Sequence, residues 1–478
     1  MTGRGERWAL VVTPFVGMTA VGVGLRVGAS DPILAATVYS APESRAGMGL
    51  AWQLAAFRVT RGAREPLARI PLEVTTRVGA VSARWTGSTN EDGVAEMQLP
   101  TSGADVLEIE ARTGDDILAK GAARVPPRLE RPAVTPVWMP FARREGSILL
   151  DVAVLGQRLA PGFPASLWVR ATDASSGARI SGVTLEPDAE GSLTFGQVNP
   201  TSKDGWGELA ATASGFAISL GLRARAADGR TGVWQGGLFS SPGAVKVETR
   251  RRWAPGDAAT IRLVAPTWRS GEYFEIDDAN GRVWATAVAP VQASDGTSSA
   301  TVVAPALPSG LYWAVASTDP GGATMLGPGT ATLPFFVAAS DAAAVHFGTD
   351  PAECVAPADA ALGSQALGPC LAVAAAVPVA RWTALDGFSE KNRKLRDKRR
   401  RGMTIAWGAA LVAMALEGLL MLRAAARGRR RRQPRSVADL GEPPPAELAM
   451  SPRLLSAVAI LIALLGFALV AAFVLRWA

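Results

Sequence analysis

Histidine occurs once in 478 residues, cysteine twice and tyrosine three times. The single histidine, His346, excludes HExxH zinc sites and multi-histidine metal centres. A Ser-His-Asp triad would have to use it, and no G-x-S-x-G elbow is present. Between Val345 and Phe347 it reads as a strand-edge or loop residue. No Walker A sequence occurs, and Gly22, Gly24 and Gly28 do not fit the G-x-G-x-x-G spacing. Asn90-Glu91-Asp92-Gly93 invites a calcium reading but lacks EF-hand spacing and its terminal glutamate, so it reads as a turn. Acidic pairs such as Asp115-Asp116 sit where hairpins turn. These absences lead us to expect no enzyme, no cofactor and no metal. Two cysteines are also too few for a disulfide-dense scaffold.

What the chain has in quantity is glycine (50) and proline (33), with 48% hydrophobic residues. That balance describes a turn-rich globular chain with room for about three domains. The net charge of +7 is local. Eight basic residues, Lys391, Arg393, Lys394, Arg396, Lys398, Arg399, Arg400 and Arg401, are crowded together, and seven arginines lie in Arg423–Arg435. Without both clusters the remainder is about −7, by counting residues. A nucleic-acid binder carries its positive charge on its folded domains. Here the charge flanks an apolar helix, so the expected partners are membrane lipids and a protein or glycan, with no nucleic acid.

The amino terminus has Arg4 and Arg7 before a mostly apolar Trp8–Leu25, and Val27-Gly28-Ala29 precedes Ser30. Residues 1–29 read as a secretory signal, either cleaved after Ala29 or retained as an anchor.

Beyond this segment the chain is organised by a repeat. Ala68-Arg69-Ile70 returns as Ala178-Arg179-Ile180, 110 positions on, and Thr89-Asn90-Glu91-Asp92-Gly93 returns as Thr201-Ser202-Lys203-Asp204-Gly205, 112 positions on. Two matches in order at nearly one offset describe a duplicated domain of immunoglobulin size. In the first copy, residues 30–125, Leu107, Ile109 and Ala111 alternate with Glu108 and Glu110 as in a half-buried strand. Pro126, Pro127, Pro132 and Pro136 make 126–136 a stiff linker. In the second copy, 137–239, Ile218, Leu220, Leu222 and Ala224 alternate with Ser219, Gly221, Arg223 and Arg225. A third unit, 244–338, carries Asp278-Ala279-Asn280-Gly281 between apolar runs, a hairpin signal. The expected fold is mainly β: three tandem antiparallel β-sandwich, immunoglobulin-like domains followed by a two-helix transmembrane hairpin.

The A-P-G strand openings at Pro161 and Pro255 and the D-G-x-x-E turns at Asp92 and Asp204 resemble those of macroglobulin-type and related bacterial immunoglobulin-like domains. The resemblance covers residues 30–338 at most and implies tandem β-sandwich domains. Full macroglobulins carry a C-x-E-Q thioester for covalent trapping. Neither Cys354-Val-Ala-Pro nor Cys370-Leu-Ala-Val matches it, so trapping is not implied.

Residues 339–402 are an Ala-rich region ending in the basic juxtamembrane segment. Cys354 and Cys370 enclose fifteen residues. A disulfide there would stabilise an exported chain by about 3 kcal/mol; two free buried thiols are the alternative. Few turn signals interrupt Ala380–Arg401, which is expected as a helix entering the membrane. Its basic end either binds anionic headgroups or forms a solvated stalk. Met403–Leu422 and Leu454–Leu475 are long and apolar enough to span a bilayer, joined by a basic loop, 423–453. Glu417 lies about a turn from Arg423, which favours interfacial pairing over an ion pathway. The basic clusters on the two sides of the first span nearly cancel under the positive-inside rule. The signal, the sandwiches and the cysteine pair favour export of 30–338 from a bacterial-type inner membrane. The expected function is a non-catalytic, membrane-anchored envelope protein whose sandwiches bind or scaffold a protein or glycan. The alternative is an accessory subunit of a membrane transport or secretion complex.

Overall fold

The alternating stretches become strands in a computed structural model of the chain. It describes Gly22 and residues 32–431 except 42–48, 61–62, 101–103, 129–133, 135, 189–191, 241–244, 266–270, 319–328, 345–363 and 375–381. Leu34–Phe388 forms one unit; Met1–Ile33 and Ser389–Ala478 form another.

The first sandwich uses β1 (Ile33–Ser40), β2 (Leu50–Thr60), β3 (Ala63–Pro66), β4 (Pro71–Val78), β5 (Val81–Ser88), β6 (Val94–Leu99), β7 (Val106–Thr113) and β8 (Asp116–Arg124). One sheet has the order β1-β2-β3 with β6 also on β2; the other has the order β5-β4-β7-β8. Trp52, Leu54 and Met97 from the first meet Val74, Leu107, Ile109 and Leu118 from the second in one buried cluster. The expected inward set Leu107, Ile109 and Ala111 is buried.

The second sandwich comprises β9 (Arg143–Gly146), β10 (Ile148–Val154), β11 (Pro164–Asp173), β12 (Thr184–Asp188), β13 (Leu193–Val198), β14 (Trp206–Ala213), β15 (Ile218–Arg225) and β16 (Thr231–Leu238). Its sheets are β10-β11-β14-β13 and β12-β15-β16-β9. Ignoring β9, these are the A-B-E-D and C-F-G orders of an immunoglobulin constant-type domain. Ile218, Leu220, Leu222 and Ala224 all face its core.

The repeat has a structural cause. In the first sandwich Thr89 Oγ1 donates to Leu67 O (2.6 Å) and accepts from Ile70 N (3.0 Å). In the second, Thr201 Oγ1 donates to Ile180 O (3.0 Å) and accepts from Val183 N (2.9 Å). Gly93 and Gly205 then turn with φ of 74° and 76°, which favours glycine. Their carbonyls accept from Ala56 N and Ala171 N in turn. The T-x-x-D-G sequence is therefore a clamp that closes the β3–β4 connection in the first sandwich and the β11–β12 connection in the second.

The third sandwich contains β17 (Lys246–Glu248), β18 (Arg252–Trp253), β19 (Ala258–Ala265), β20 (Glu272–Asp278), β21 (Gly281–Val288), β22 (Val291–Gln292), β23 (Ser298–Ala306), β24 (Gly310–Ser317) and β25 (Ala331–Val337). Its orders, β17-β19-β23-β22 and β18-β25-β24-β20-β21, are A-B-E-D and G-F-C-C′ with β18 parallel to β25 at the edge. Tyr312 at the start of β24 donates to Pro308 O at 2.7 Å, the tyrosine corner of immunoglobulin-like domains.

After β25 come α1 (Asp341–Ala344), α2 (Ser364–Val373), β26 (Trp382–Asp386) and α3 (Gly387–Arg431). The expected helix over Ala380–Arg401 is corrected here: 382–386 is a strand. It pairs antiparallel with β1 (Thr37↔Asp386, Ser40↔Trp382), and Ala384 and Leu385 pack on the first core. The free edge of β1 supplies hydrogen bonds that an isolated short helix would lack, and tertiary pairing overrides local preference. The helix starts where the Asp386 carboxylate accepts from Phe388 N (3.0 Å), an N-cap.

In the other unit, α3 carries the expected span Met403–Leu422. No helix among the described residues is long and apolar enough to cross a membrane. Several side chains of that stretch, Glu417 included, are outside the described set, as are the signal apart from Gly22, His346, and everything after 431, including Leu454–Leu475.

Candidate binding cleft between the second and third sandwiches

A period of two points Leu167, Val169 and Ala171 of β11 into the core of the second sandwich and Trp168 and Arg170 away from it. On β14 the same parity sends Trp206 and Glu208 outward. Two tryptophans on an outer face need cover. They receive it from Leu311, Trp313 and Phe336 of the third sandwich and Leu367 and Leu371 of α2, which form a second hydrophobic core between the domains. Trp206 stacks on Trp138 at 5.6 Å and meets Trp168 edge-on at 6.5 Å. Arg170, bonded to Asp151 at 2.9 Å, lies 4.3 Å over Trp138. The indole nitrogens of Trp168, Trp206 and Trp313 are buried with no acceptor among the described residues. Val134 of the expected linker is buried in it, and Val137 N donates to Val373 O (3.0 Å).

At the rim of the joint lies a cleft of about 800 Å³ lined by Trp168, Trp206, Glu208 and the consecutive Arg250, Arg251 and Arg252. Arg252 is committed: it pairs with Asp341 and donates to Ala338 O at 2.8 Å. Arg251 is exposed, pairs with Glu208 at 3.1 Å and lies 5.6 Å over Trp168. An ion pair this open to water is weak and exchanges readily. Arg250 lies 4.9 Å over Trp253 and has no ion pair among the described residues. The cleft thus offers guanidinium donors and an aromatic edge, with Asp204 and Glu208 as acceptors. That set can hold carboxylate-bearing and hydroxyl-bearing groups. No cluster among the described residues could hold a metal ion.

The two copies of the repeated turn have different surroundings. Asp204 lines this cleft, bonded to Ser202. Asp92 and Asn90 instead face the third sandwich, where Tyr273 Oη donates to Asp92 Oδ2 (2.6 Å) and accepts from Asn90 Nδ2 (2.6 Å). Burial, then the bond to Asp92, raises the Tyr273 phenol well above its usual pKa, with Asn90 opposing. Beside it the buried Arg282 pairs with Glu275 (2.7 Å) and Glu96 (2.9 Å), and Gln53 donates to Glu96 (2.5 Å). Burial opposes the charge on Arg282, but Glu96 and Glu275 outweigh it and raise its pKa. Arg128 of the linker pairs with Asp278.

Of the residues singled out from sequence, Cys370 is buried in the interdomain core and disulfide-bonded; Cys354 lies outside the described residues. Lys391, Arg393, Lys394, Arg396, Lys398, Arg399, Arg400 and Arg401 lie on α3 in the other unit, where Lys394 pairs with Glu390 (2.9 Å). Arg223 and Arg225 are exposed opposite Glu186 and Thr184 of β12. The cleft arginines carried no signal in the sequence beyond being three in a row; only packing makes them a site.

No family profile and no curated protein matches the sequence. Among solved structures, the chain is similar to the bacterial integrin-binding protein invasin (12% identity, TM-score 0.18, 64% of this chain and 60% of that one). It is similar to the Yersinia pseudotuberculosis adhesin InvE (11%, 0.18, 39% and 58%) and to the E. coli alpha-2-macroglobulin (10%, 0.15, 64% and 23%). The chain thus spans about three-fifths of the two adhesins. Likeness at this level carries no functional argument and does not single out the macroglobulin type. The immunoglobulin-like assignment rests on strand order and on Tyr312.

Proposed function

We propose that this chain is a non-catalytic, membrane-tethered envelope protein whose three sandwiches act as one scaffold and bind a protein or glycan partner through the Arg250–Arg251 cleft. The observation that carries the reading is the cleft itself: one guanidinium without an ion pair among the described residues, a weakly held second one and an aromatic edge, mounted on an apolar interdomain core that keeps them in place. Preorganised donors bind with less ordering cost than flexible ones. The disulfide at Cys370 favours an oxidising compartment, hence export of 30–338. On α3, Ile405, Leu411, Val412 and Leu422 are exposed, as lipid-facing side chains would be. The basic residues 391–401 precede them on the same helix and suit anionic headgroups.

Reporter fusions test the address: a reporter at Ser240 works only outside the cytoplasm and one at Ser436 only inside. Affinity purification from mild detergent, with wild type beside the Arg250→Ala/Arg251→Ala double variant, tests the cleft. A partner held by wild type and lost by a folded variant supports the reading; equal recovery removes it.

A further inference from the structure

An open sheet edge offers a row of unpaired amides and carbonyls, and folded proteins normally blunt it. Most edges here are blunted. β3 and β9 are four-residue charged strands, β17, β18 and β22 are shorter still, and β12 contains Pro187. β13 carries a register irregularity at Phe195/Val198, and β8 skips Leu118 in its pairing with β7. β5 is different. Its eight residues, VSARWTGS, run in unbroken register against β4 from Val78↔Val81 to Pro71↔Ser88, contain no proline and are mostly exposed, Val81 at 64%.

Which amides are free is set by the turn. Gly79 at φ 57° opens a two-residue hairpin loop closed by Val78↔Val81. The pair closing such a loop exchanges both hydrogen bonds, and bonding then alternates. Residues 81, 83, 85 and 87 bond to β4; 82, 84, 86 and 88 face outward with nothing beyond them among the described strands.

We propose that β5 pairs antiparallel with β5 of a second copy of this chain, about a two-fold axis at Trp85, making one continuous sheet across a homodimer. A two-fold axis normal to the sheet keeps faces matched. Centred on Trp85, it sets Ser82 against the partner's Ser88, Ala83 against the partner's Gly87 and Arg84 against the partner's Thr86. Every outward amide and carbonyl of 82–88 is used, and no like charges oppose. The ring of Trp85 already lies over Gly87, where a Cβ would come within 2.4 Å of it, so the facing Ala83 is small where the ring needs room. Centring on Arg84 would set that charge against itself. Arg84 is held on its own sheet by Glu73 at 2.7 Å, leaving the edge clear.

The test uses the full chain in detergent at micromolar concentration. Light scattering should give twice the chain mass, and Thr86→Pro, which removes only an outward amide, should return it to the monomer with an unchanged circular dichroism spectrum. On oxidation Trp85→Cys should give a covalent dimer and Arg84→Cys should not. A monomeric wild type, a Thr86→Pro chain that stays dimeric, or cross-linking at 84 in preference to 85 overturns the proposal. The mass comparison does not depend on the Trp85 variant folding.

Discussion

Tyr273 of the third sandwich donates its hydroxyl hydrogen to Asp92 of the first at 2.6 Å, although 181 residues separate them. This bond, with Arg282 between Glu96 and Glu275, fastens two domains that are not neighbours in sequence. The phenol's raised pKa sets a pH window. A folded state that holds the proton more tightly than the unfolded chain has that advantage in full below the ordinary phenol value of 10.0 and loses it progressively as pH climbs from there to the raised folded-state value. The unfolding free energy read by denaturant titration should hold to about pH 10 and fall above it. Tyr273→Phe should lower the unfolding free energy below pH 10 and abolish the part of the fall that begins there.

Removing Arg282 leaves Glu96 and Glu275 buried without their cation. Arg282→Ala should cost about 3–5 kcal/mol, read by calorimetry as a lowered transition for the first and third sandwiches. A loss like that of an exposed pair, below about 1 kcal/mol, would show that the joint does not depend on this ion cluster.

The threonine clamps should behave alike. Thr89→Val and Thr201→Val keep shape but orphan an amide and a buried carbonyl each, the amide being part-buried at Ile70 and buried at Val183. Each should cost about 2 kcal/mol in the unfolding transition of its own sandwich. If only one does, the repeat is a sequence likeness without equal structural use.

The glycines of the two clamps should differ. A Cβ on Gly93 would meet Ala56 O at 2.5 Å, whereas one on Gly205 would first meet the Arg179 side chain at 2.8 Å. Gly93→Ala should therefore be the more destabilising, by more than the 1–2 kcal/mol of left-handed backbone alone. Denaturation of both variants beside wild type checks the order.

Gly368 of α2 packs so closely on Trp168 that a Cβ would lie 2.2 Å from its ring. Gly368→Val should push α2 off the interdomain core, red-shift tryptophan emission and speed alkylation of Cys370 after reduction. An unchanged spectrum and alkylation rate would mean that α2 does not seal the joint.

Sequence by itself determined the strands and their inward faces. Leu107-Ile109-Ala111 and Ile218-Leu220-Leu222-Ala224 alternate because a half-buried strand must, and Asp-Gly turns separate them because positive φ favours glycine. The repeat was also legible, since the clamp needs a threonine and a glycine at fixed spacing. What tertiary structure alone decided is what covers the outward faces. Trp168 and Trp206 became an interdomain joint, Arg250 and Arg251 a cleft, and β26 a strand on β1 more than 340 residues earlier. Period-two alternation says which side leaves a strand's own core, but hydrogen bonding across sheets and packing between domains are non-local and leave no periodic trace. The same Asp-Gly turn therefore meets Tyr273 in one domain and an open cleft in the other.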